Sequence, residues 1–233
     1  MDNQGLQERI LSTYNSMRLG MFWIAALTPI VIPLWGYYLF GVSWQNSLSA
    51  YYFAPHANEW VYSYYPGRVL FVASLSALGS FLFLYKGFSK GEDRALNLAG
   101  LFALGVAVCP MYAEEGYIPV SNVLHFTFAI LLFVCMAYAA IFCHDETLRW
   151  VKDPKCRARY KVAYHIIGWF MGLFPLVGLI LAVSFGAVQR HLFWIEAAGI
   201  WAFSAYWFTK SRELKKSQVE RAALTGMLTQ PPS

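Results

Sequence analysis

Six long apolar stretches, separated by short polar segments, dominate the sequence. Each is long enough to cross the hydrocarbon core of a bilayer, about 30 Å thick, as a helix. The stretches lie near Met21–Val42, Arg68–Lys86, Ala95–Ala113, Asn122–Cys143, Ala163–Ala187 and His191–Lys210. This pattern predicts an all-α fold, a polytopic bundle of six transmembrane helices.

The basic residues between the apolar stretches predict how the chain is threaded, because cytoplasmic segments of membrane proteins carry an excess of Lys and Arg. With the N-terminus in the cytoplasm, all of the 18 basic residues except Arg68 and Arg190 fall in cytoplasmic segments. The opposite orientation would invert this ratio. We therefore expect the N- and C-termini to be cytoplasmic.

The same pattern divides the chain into three segments. Residues 1–20 form a cytoplasmic N-terminal segment whose apolar side chains recur at helical spacing, which fits a short helix at the membrane surface, although a frayed tail is an equal alternative. Residues 21–210 form the six-helix transmembrane domain, and its outer loop 43–67 is rich in the Trp and Tyr side chains that favour the headgroup region. Residues 211–233 form a basic cytoplasmic tail.

Composition agrees with a membrane protein. Hydrophobic residues make up 58% of the chain and charged residues 13%, whereas a soluble domain carries about 25% charged residues. The net charge of +5 does not indicate a nucleic-acid partner, since the basic residues follow the topology pattern. We expect membrane lipids as partners, in the plasma (inner) membrane of a bacterium or an endomembrane of a eukaryote.

The four cysteines predict neither a disulfide nor a zinc site, because no pair falls in a predicted external loop and no CxxC or Cys/His spacing is present. A histidine metal site is not expected either. His165 starts the fifth helix from the cytoplasmic side, while His125 and His191 lie near the outer side. We therefore expect no metal and no cofactor.

Ionisable residues within apolar stretches are functional candidates, since a charge near the bilayer centre costs at least about 2.5 kcal/mol. Glu196 is the clearest case, about 7.5 Å below the start of the sixth helix by helical rise. His125 lies about one turn below the outer end of the fourth helix, and Arg68 opens the second. Together with Glu115, at the end of the third helix, and Ser49, in the aromatic loop, they predict a polar ligand-binding pocket in the outer half of the bundle.

Each candidate also has a structural interpretation. Glu196 could bond to Arg68 or a Tyr hydroxyl and fix the helix register. His125 could be an interfacial or packing residue, and Arg68 could anchor its helix at the headgroups or bind a lipid phosphate. The tripeptide His144-Asp145-Glu146 is interpreted as a solvated helix cap, and no catalytic residue is assigned.

Small residues at a spacing of four predict where helices approach closely, because no hydrophobic effect drives helix association in lipid. The pairs are Gly168/Gly172, Ser76/Ser80, Ala73/Ala77 and Ala198/Ala202. Such faces serve packing within one chain or a homo-oligomer, and both alternatives stay open. Four prolines are expected to kink their helices, namely Pro29, Pro33, Pro110 and Pro175.

Several short motifs follow one another in order from about Ser47 to Leu214. They are Ser47-Leu48-Ser49 after helix one, Pro66, Arg68 and Phe71 into helix two, Asn97, Ala99 and Gly100 at helix three, Leu124-His125 at helix four, and Glu196 before Tyr206-Trp207-Phe208 in helix six. In this order of motifs the chain resembles the Frag/DRAM/Sfk family of six-helix membrane proteins. That family includes the damage-regulated autophagy modulators and factors that remodel glycosylphosphatidylinositol lipid anchors.

The resemblance implies lipid handling or scaffolding in membranes, and it implies that His125 and Glu196 work together. The chain departs from the family pattern after helix one, where the family often has Ile-Ser-Asp-x-Gly. Ala50 replaces the Asp and Tyr52 replaces the Gly. Any role of that carboxylate is therefore lost or has moved to another group.

The leading functional expectation is a membrane protein that binds, senses or remodels lipid through the outer pocket, with the aromatic loop as a lid. An alternative is an intramembrane acyl hydrolase or transferase that uses Glu196 and His125 as an acid/base pair and Ser47 or Ser49 as nucleophile. A small transporter is less favoured, since it needs ionisable residues through the full depth of the bundle and the inner half is interpreted as nearly apolar.

Overall fold

A computed structural model describes residues 3–54, 65–111, 120–185 and 191–225, and within these ranges the chain is helical without any strand. A 3-10 helix, Ser49–Tyr52, lies between the first two α-helices. The α-helices are α1 (Asn3–Phe40), α2 (Pro66–Leu84), α3 (Lys90–Val108), α4 (Val120–Phe142), α5 (Asp145–Leu148), α6 (Pro154–Phe185), α7 (His191–Ser217) and α8 (Val219–Leu224). The predicted all-α class is confirmed for this part of the chain.

The six long helices form a closed ring in which each packs against the next in the order α1, α2, α3, α4, α6, α7, and α7 returns to α1. The short helix α8 folds back on α1, where Arg18 Nη2 donates to Glu220 Oε2 over 2.9 Å. The start of α1 and the end of α8 therefore share one end of the bundle, which we call the terminal end. The opposite end, which carries the α1–α2 connection, is the loop end.

Four helical segments are long and apolar enough to cross a membrane by length and composition: Gly5–Phe40, Pro66–Leu84, Val120–Leu148 and Pro154–Leu181. They indicate an integral membrane protein. The other two long helices carry charges that lower their apolar character. Four charged residues stand in the first turns of α3, and α7 contains Glu196 and ends in a basic segment.

Helix α1 is longer than predicted. The sequence suggested a separate surface helix within residues 1–20, but α1 runs without interruption from Asn3 to Phe40. Tyr14 and Met17 are part of the reason, because they pack against the buried core instead of facing a membrane surface. The helix ends just before Gly41, whose φ of 64° is a left-handed conformation that favours glycine.

Helix α3 is shifted towards the N-terminus relative to the prediction. It begins after Ser89, whose hydroxyl caps the helix by accepting a hydrogen bond from the Glu92 backbone N–H over 3.1 Å. It ends at Val108, so Pro110 follows the helix and does not kink it, contrary to expectation. The cap formed by a polar side chain thus decided where the helix starts, although the apolar stretch begins five residues later.

Helix α6 begins at Pro154, well before the predicted Ala163. Proline suits the first turn of a helix because its missing N–H has no intrahelical partner there. The basic residues Lys155, Arg157, Arg159 and Lys161, which we expected in a loop, therefore stand on the first turns of α6. Pro175 lies inside the helix, as predicted.

Several glycines lie where two helices pack closely. A Cβ at Gly100 would lie 2.6 Å from the Gly79 carbonyl oxygen, so α2 and α3 approach through backbone atoms. On α6, a Cβ at Gly168 would lie 2.5 Å from Ile141 Cγ1, and one at Gly172 would lie 3.7 Å from Ala137 Cβ. The Gly168/Gly172 pair therefore faces α4 of the same chain, and a homo-oligomer through small-residue faces stays a prediction.

Candidate functional site

A cavity of about 120 Å³ lies at the centre of the helix ring, and all six long helices contribute to its wall. Most of the wall is apolar, including Phe71, Leu78 and Leu82 on α2 and Phe203 on α7. Ser49, His125 and Glu196 also line it, and they belong to the loop end. The cavity is therefore a narrow apolar space with polar groups gathered at one end.

Glu196 is held by the Ser47-Leu48-Ser49 turn in the α1–α2 connection. The Ser47 hydroxyl donates to both carboxylate oxygens over 2.8 and 2.9 Å, and the Leu48 backbone N–H donates to Oε2 over 2.6 Å. Ser47 and Leu48 are each only 1% exposed. The carboxylate is thereby given donors that water would otherwise supply.

His125 is held from both of its ring nitrogens. Nδ1 lies 2.7 Å from the Cys109 carbonyl oxygen, and Nε2 lies 2.9 Å from Ser49 Oγ. A carbonyl oxygen only accepts hydrogen bonds, so in the neutral ring Nδ1 carries the proton and the Ser49 hydroxyl donates to Nε2. The Phe71 ring stacks on the imidazole, with centroids 6.3 Å apart.

The two halves join into one polar network. The Ser49 backbone N–H donates to Ser47 Oγ over 3.1 Å, so a continuous series of hydrogen bonds runs from Glu196 through Ser47 and Ser49 to His125. Glu196 and His125 therefore belong to one hydrogen-bonded network without contacting each other directly. Among the described residues, Glu196 bonds to Ser47 and Leu48 and not to Arg68 or a Tyr hydroxyl, the partners that the sequence suggested.

Local contacts fix the turn that carries these serines. The Phe193 backbone N–H at the start of α7 donates to the Asn46 carbonyl over 2.8 Å. At the start of α2, a Cβ on Gly67 would lie only 2.5 Å from the Tyr51 carbonyl oxygen, so the 3-10 helix and α2 meet through backbone atoms. The turn is thus attached to α2 and α7 at once, which places Ser47 and Ser49 over the cavity.

Arg68 lies beside this turn and does not reach Glu196. Its guanidinium carbon lies 4.3 to 4.8 Å from the ring centroids of Tyr52, Phe53 and Tyr65, and its Nε donates to the Tyr52 carbonyl over 3.2 Å. Cation–π contacts of this kind hold a guanidinium against aromatic faces. Through Tyr52, which contacts Phe71, Arg68 is connected to the cavity wall.

Glu115, the remaining predicted site residue, lies outside the described residues. The same holds for Arg190 and for much of the aromatic loop expected to act as a lid, residues 55–64. The side chain of His191 is likewise not described. Their predicted roles stay predictions.

A second polar cluster lies at the terminal end, and the sequence analysis missed it. Lys210 Nζ lies 3.1 Å from Glu92 Oε1 and donates to Thr147 Oγ1 over 3.2 Å. Thr147 and Tyr164 both donate to Glu213 Oε2, each over 3.1 Å. Glu92, Lys210 and Glu213 are at most 1% exposed. The sequence placed these charges in loops and the tail and predicted a nearly apolar inner half, whereas packing buries them together at the terminal end.

The histidines at the terminal end also differ from expectation. His144 is only 2% exposed, and its ring stacks on Tyr164, so it is not a solvated cap residue. His165 lies next to it, with ring centroids 4.9 Å apart, far along the bundle from His125. Across the described ranges no group of three or more His, Cys, Asp or Glu side chains could hold a metal ion.

Comparisons with known proteins give no relative from which a function could be transferred. No protein-family model, no curated protein and no solved structure matches the chain. The resemblance to the Frag/DRAM/Sfk family stays a prediction based on the motifs alone. The function has to be argued from the geometry of the cavity and its polar network.

Proposed function

We propose that this integral membrane protein binds lipid, with an alkyl chain in the central cavity and the head group at the network of Ser47, Ser49, His125 and Glu196. The single observation that carries the proposal is the distribution of polarity in the cavity, which is apolar along its length and polar at the loop end. An amphiphile has the same distribution. Binding sites for small ligands are typically apolar with a few well-placed polar groups.

The shape of the cavity favours a lipid with one alkyl chain over a lipid with two. Its wall follows α2 from Phe71 to Leu82, three turns of helix or about 16 Å of rise. Over that length a volume of about 120 Å³ leaves a narrow passage. A passage this narrow favours a single alkyl chain over the two chains of a diacyl lipid.

The proposed setting is a bundle of six membrane-spanning helices with both termini in the cytoplasm and the loop end towards the outer leaflet. The positions of the basic residues support this orientation. The meeting of α1 and α8 at one end of the bundle supports an even number of crossings. In this setting Arg68 lies at headgroup depth, where it contacts lipid phosphates beside the cavity mouth.

Filling the cavity tests the proposal directly. Leu78→Trp places an indole in the passage, while Leu84→Trp changes a side chain on the same helix that is 63% exposed. Lipids that co-purify with each variant are measured by mass spectrometry, and helicity and thermal unfolding confirm the fold. We expect Leu78→Trp to lose most of the bound lipid and Leu84→Trp to retain it. Equal lipid content in both folded variants would refute cavity binding.

One contact favours acyl transfer as a second candidate function. Ser49 Oγ lies 2.9 Å from His125 Nε2, and the Cys109 carbonyl orients the ring by accepting from Nδ1. A hydroxyl, a base and an orienting group in this order form the arrangement of a nucleophilic serine. Ser49 Oγ would attack the acyl carbonyl while His125 takes its proton and passes it to the leaving alcohol.

A serine-directed fluorophosphonate tests this second candidate. An activated Ser49 is expected to form a covalent adduct that peptide mass spectrometry locates, and Ser49→Ala and His125→Gln should abolish the adduct. Ser43→Ala, on an exposed residue of the same connection, is the control and should retain it. If the folded wild type shows no adduct and no turnover of short-chain esters, Ser49 is a binding residue only.

A further inference from the structure

The hydrogen-bonding character of the polar network indicates which head group it accepts. The N–H and O–H groups of the network are already used within the protein. Ser47 and Leu48 donate to Glu196, the Ser49 backbone N–H donates to Ser47, and His125 donates to Cys109. In the tautomer set by Cys109, the Ser49 hydroxyl donates to His125. The network thus faces the cavity with acceptors.

The charge of the network points the same way. The groups that hold Glu196 are a hydroxyl and a backbone amide, both neutral. In the part of the chain that the structure describes, no Lys, Arg or His side chain forms an ion pair with this carboxylate. A carboxylate in a low-dielectric interior requires protonation or a compensating cation. A cationic ligand head group would supply that compensation.

We propose that the natural ligand is a single-chain amphiphile whose head group is a primary ammonium, that is, a long-chain amine. Its N–H groups donate to Glu196 and to the lone pairs of Ser49 Oγ, and its alkyl chain follows the apolar wall from Phe71 towards Leu82. This inference rests on the proposed lipid-binding function and specifies its ligand. A free fatty acid or a phosphate at the same position would place one anion beside another.

The test compares four probes that share a dodecyl chain: the amine, the alcohol, the carboxylate and the trimethylammonium. Binding to the purified full-length protein in nanodiscs is measured by displacement of a bound fluorescent alkyl probe at neutral pH, where the amine is protonated. We expect the amine to bind about tenfold or more tightly than the alcohol, since hydrogen bonds to charged groups are the stronger ones. The trimethylammonium, which has the charge but no N–H, should bind more weakly than the amine.

A pair of variants tests how much the Glu196 carboxylate contributes to the preference for the amine. Glu196→Gln should reduce the preference for the amine over the alcohol to about unity, while Glu146→Gln, on a partly exposed carboxylate at the terminal end, should leave it unchanged. If Glu196→Gln does not fold, the four-probe comparison on the wild-type protein still decides. Tightest binding of the carboxylate, or equal binding of amine and alcohol, overturns the amine inference and leaves lipid binding intact. Binding of none of the probes overturns both.

Discussion

At the scale of single residues, Ser47 has the greatest influence on the site. Its hydroxyl donates to the Glu196 carboxylate and accepts from the Ser49 backbone N–H, so one small side chain connects α7 with the turn above the cavity. A serine in the α1–α2 connection thus supplies hydrogen bonds to a half-buried carboxylate that water would otherwise supply. Ser49 plays the corresponding role for His125.

Replacement of Ser47 by Ala is expected to destabilise the protein by about 1–3 kcal/mol, because the carboxylate loses one of its two donors and the Ser49 backbone N–H loses its acceptor. The measurement is unfolding in mixed micelles followed by circular dichroism. Ser43→Ala removes a hydroxyl from an exposed position of the same connection and serves as the control. Equal stability of the two variants would show that Glu196 does not depend on Ser47.

At the scale of helices, the closest approach between α2 and α3 is made by backbone atoms. Gly79 and Gly100 face each other, and a Cβ on Gly100 would come within 2.6 Å of a carbonyl oxygen and 2.9 Å of the Phe83 backbone nitrogen. Backbone atoms cannot rotate away as side-chain ends do. In the Gly168/Gly172 motif, which the sequence analysis singled out, the second position has room for a Cβ.

Gly100→Ala is therefore expected to cost about 1–3 kcal/mol through overpacking. Gly172→Ala should be close to neutral, because its Cβ would meet Ala137 at an ordinary distance of 3.7 Å. Both changes add one methyl group to a long helix of the bundle, which makes them a matched pair for unfolding in mixed micelles. A larger loss for Gly172→Ala would contradict the packing described for α6 against α4.

The helices themselves could be predicted from the sequence because apolar length is a local property. All six predicted stretches correspond to long helices, but their ends were less predictable. The cap at Ser89, the proline start at Pro154 and the extension of α1 back to Asn3 depend on side-chain contacts and on helix continuity outside the apolar stretch.

The site was only partly predictable for a related reason. Glu196 and His125 were recognised because ionisable residues are rare in apolar stretches, and Ser49 was named with them. How they connect could not be derived, since that depends on where the α1–α2 connection folds over the bundle. Glu92 and Glu213 were missed because charges near helix ends resemble ordinary loop charges, and only tertiary packing buries them.

At the scale of the whole molecule, the two ends of the bundle are held by different interactions. The terminal end contains the Glu92–Lys210 ion pair, with Thr147, Tyr164 and Glu213 around it, which links α3, α5, α6 and α7. At the loop end, the hydrogen bonds described for Glu196 and His125 come from one short turn, and the described residues include no buried ion pair there. Breaking a buried ion pair is expensive because the remaining charge has no water.

Lys210→Met should destabilise the protein by about 3–5 kcal/mol, since it leaves buried carboxylates without their cation. The double variant Glu92→Gln/Lys210→Met should recover part of that loss. Lys215→Met, at an exposed position on the same helix, should change stability little. Thermal unfolding of the three variants checks this, and a Lys210→Met protein as stable as Lys215→Met would show that the pair is not structural.

The proposed orientation is tested by labelling single cysteines in a background without the four native ones. Ser217→Cys, at the end of α7, should react with an impermeant maleimide only when the cytoplasmic side is opened. Ser43→Cys should react from the outside in intact cells. The reverse pattern would place the loop end in the cytoplasm and would require a different source for any lipid that enters the cavity.

The difference between the contacts at the two ends has a consequence for local opening of the bundle. A buried ion pair links the helices at the terminal end, whereas the described polar contacts to Glu196 and His125 at the loop end are hydrogen bonds from the Ser47-Leu48-Ser49 turn, so we expect local opening first at the loop end. Amide hydrogens near Ser49 are then expected to exchange with solvent earlier than those near Lys210. A ligand in the cavity would enter and leave past this turn, and its residence time would depend on how often the turn opens.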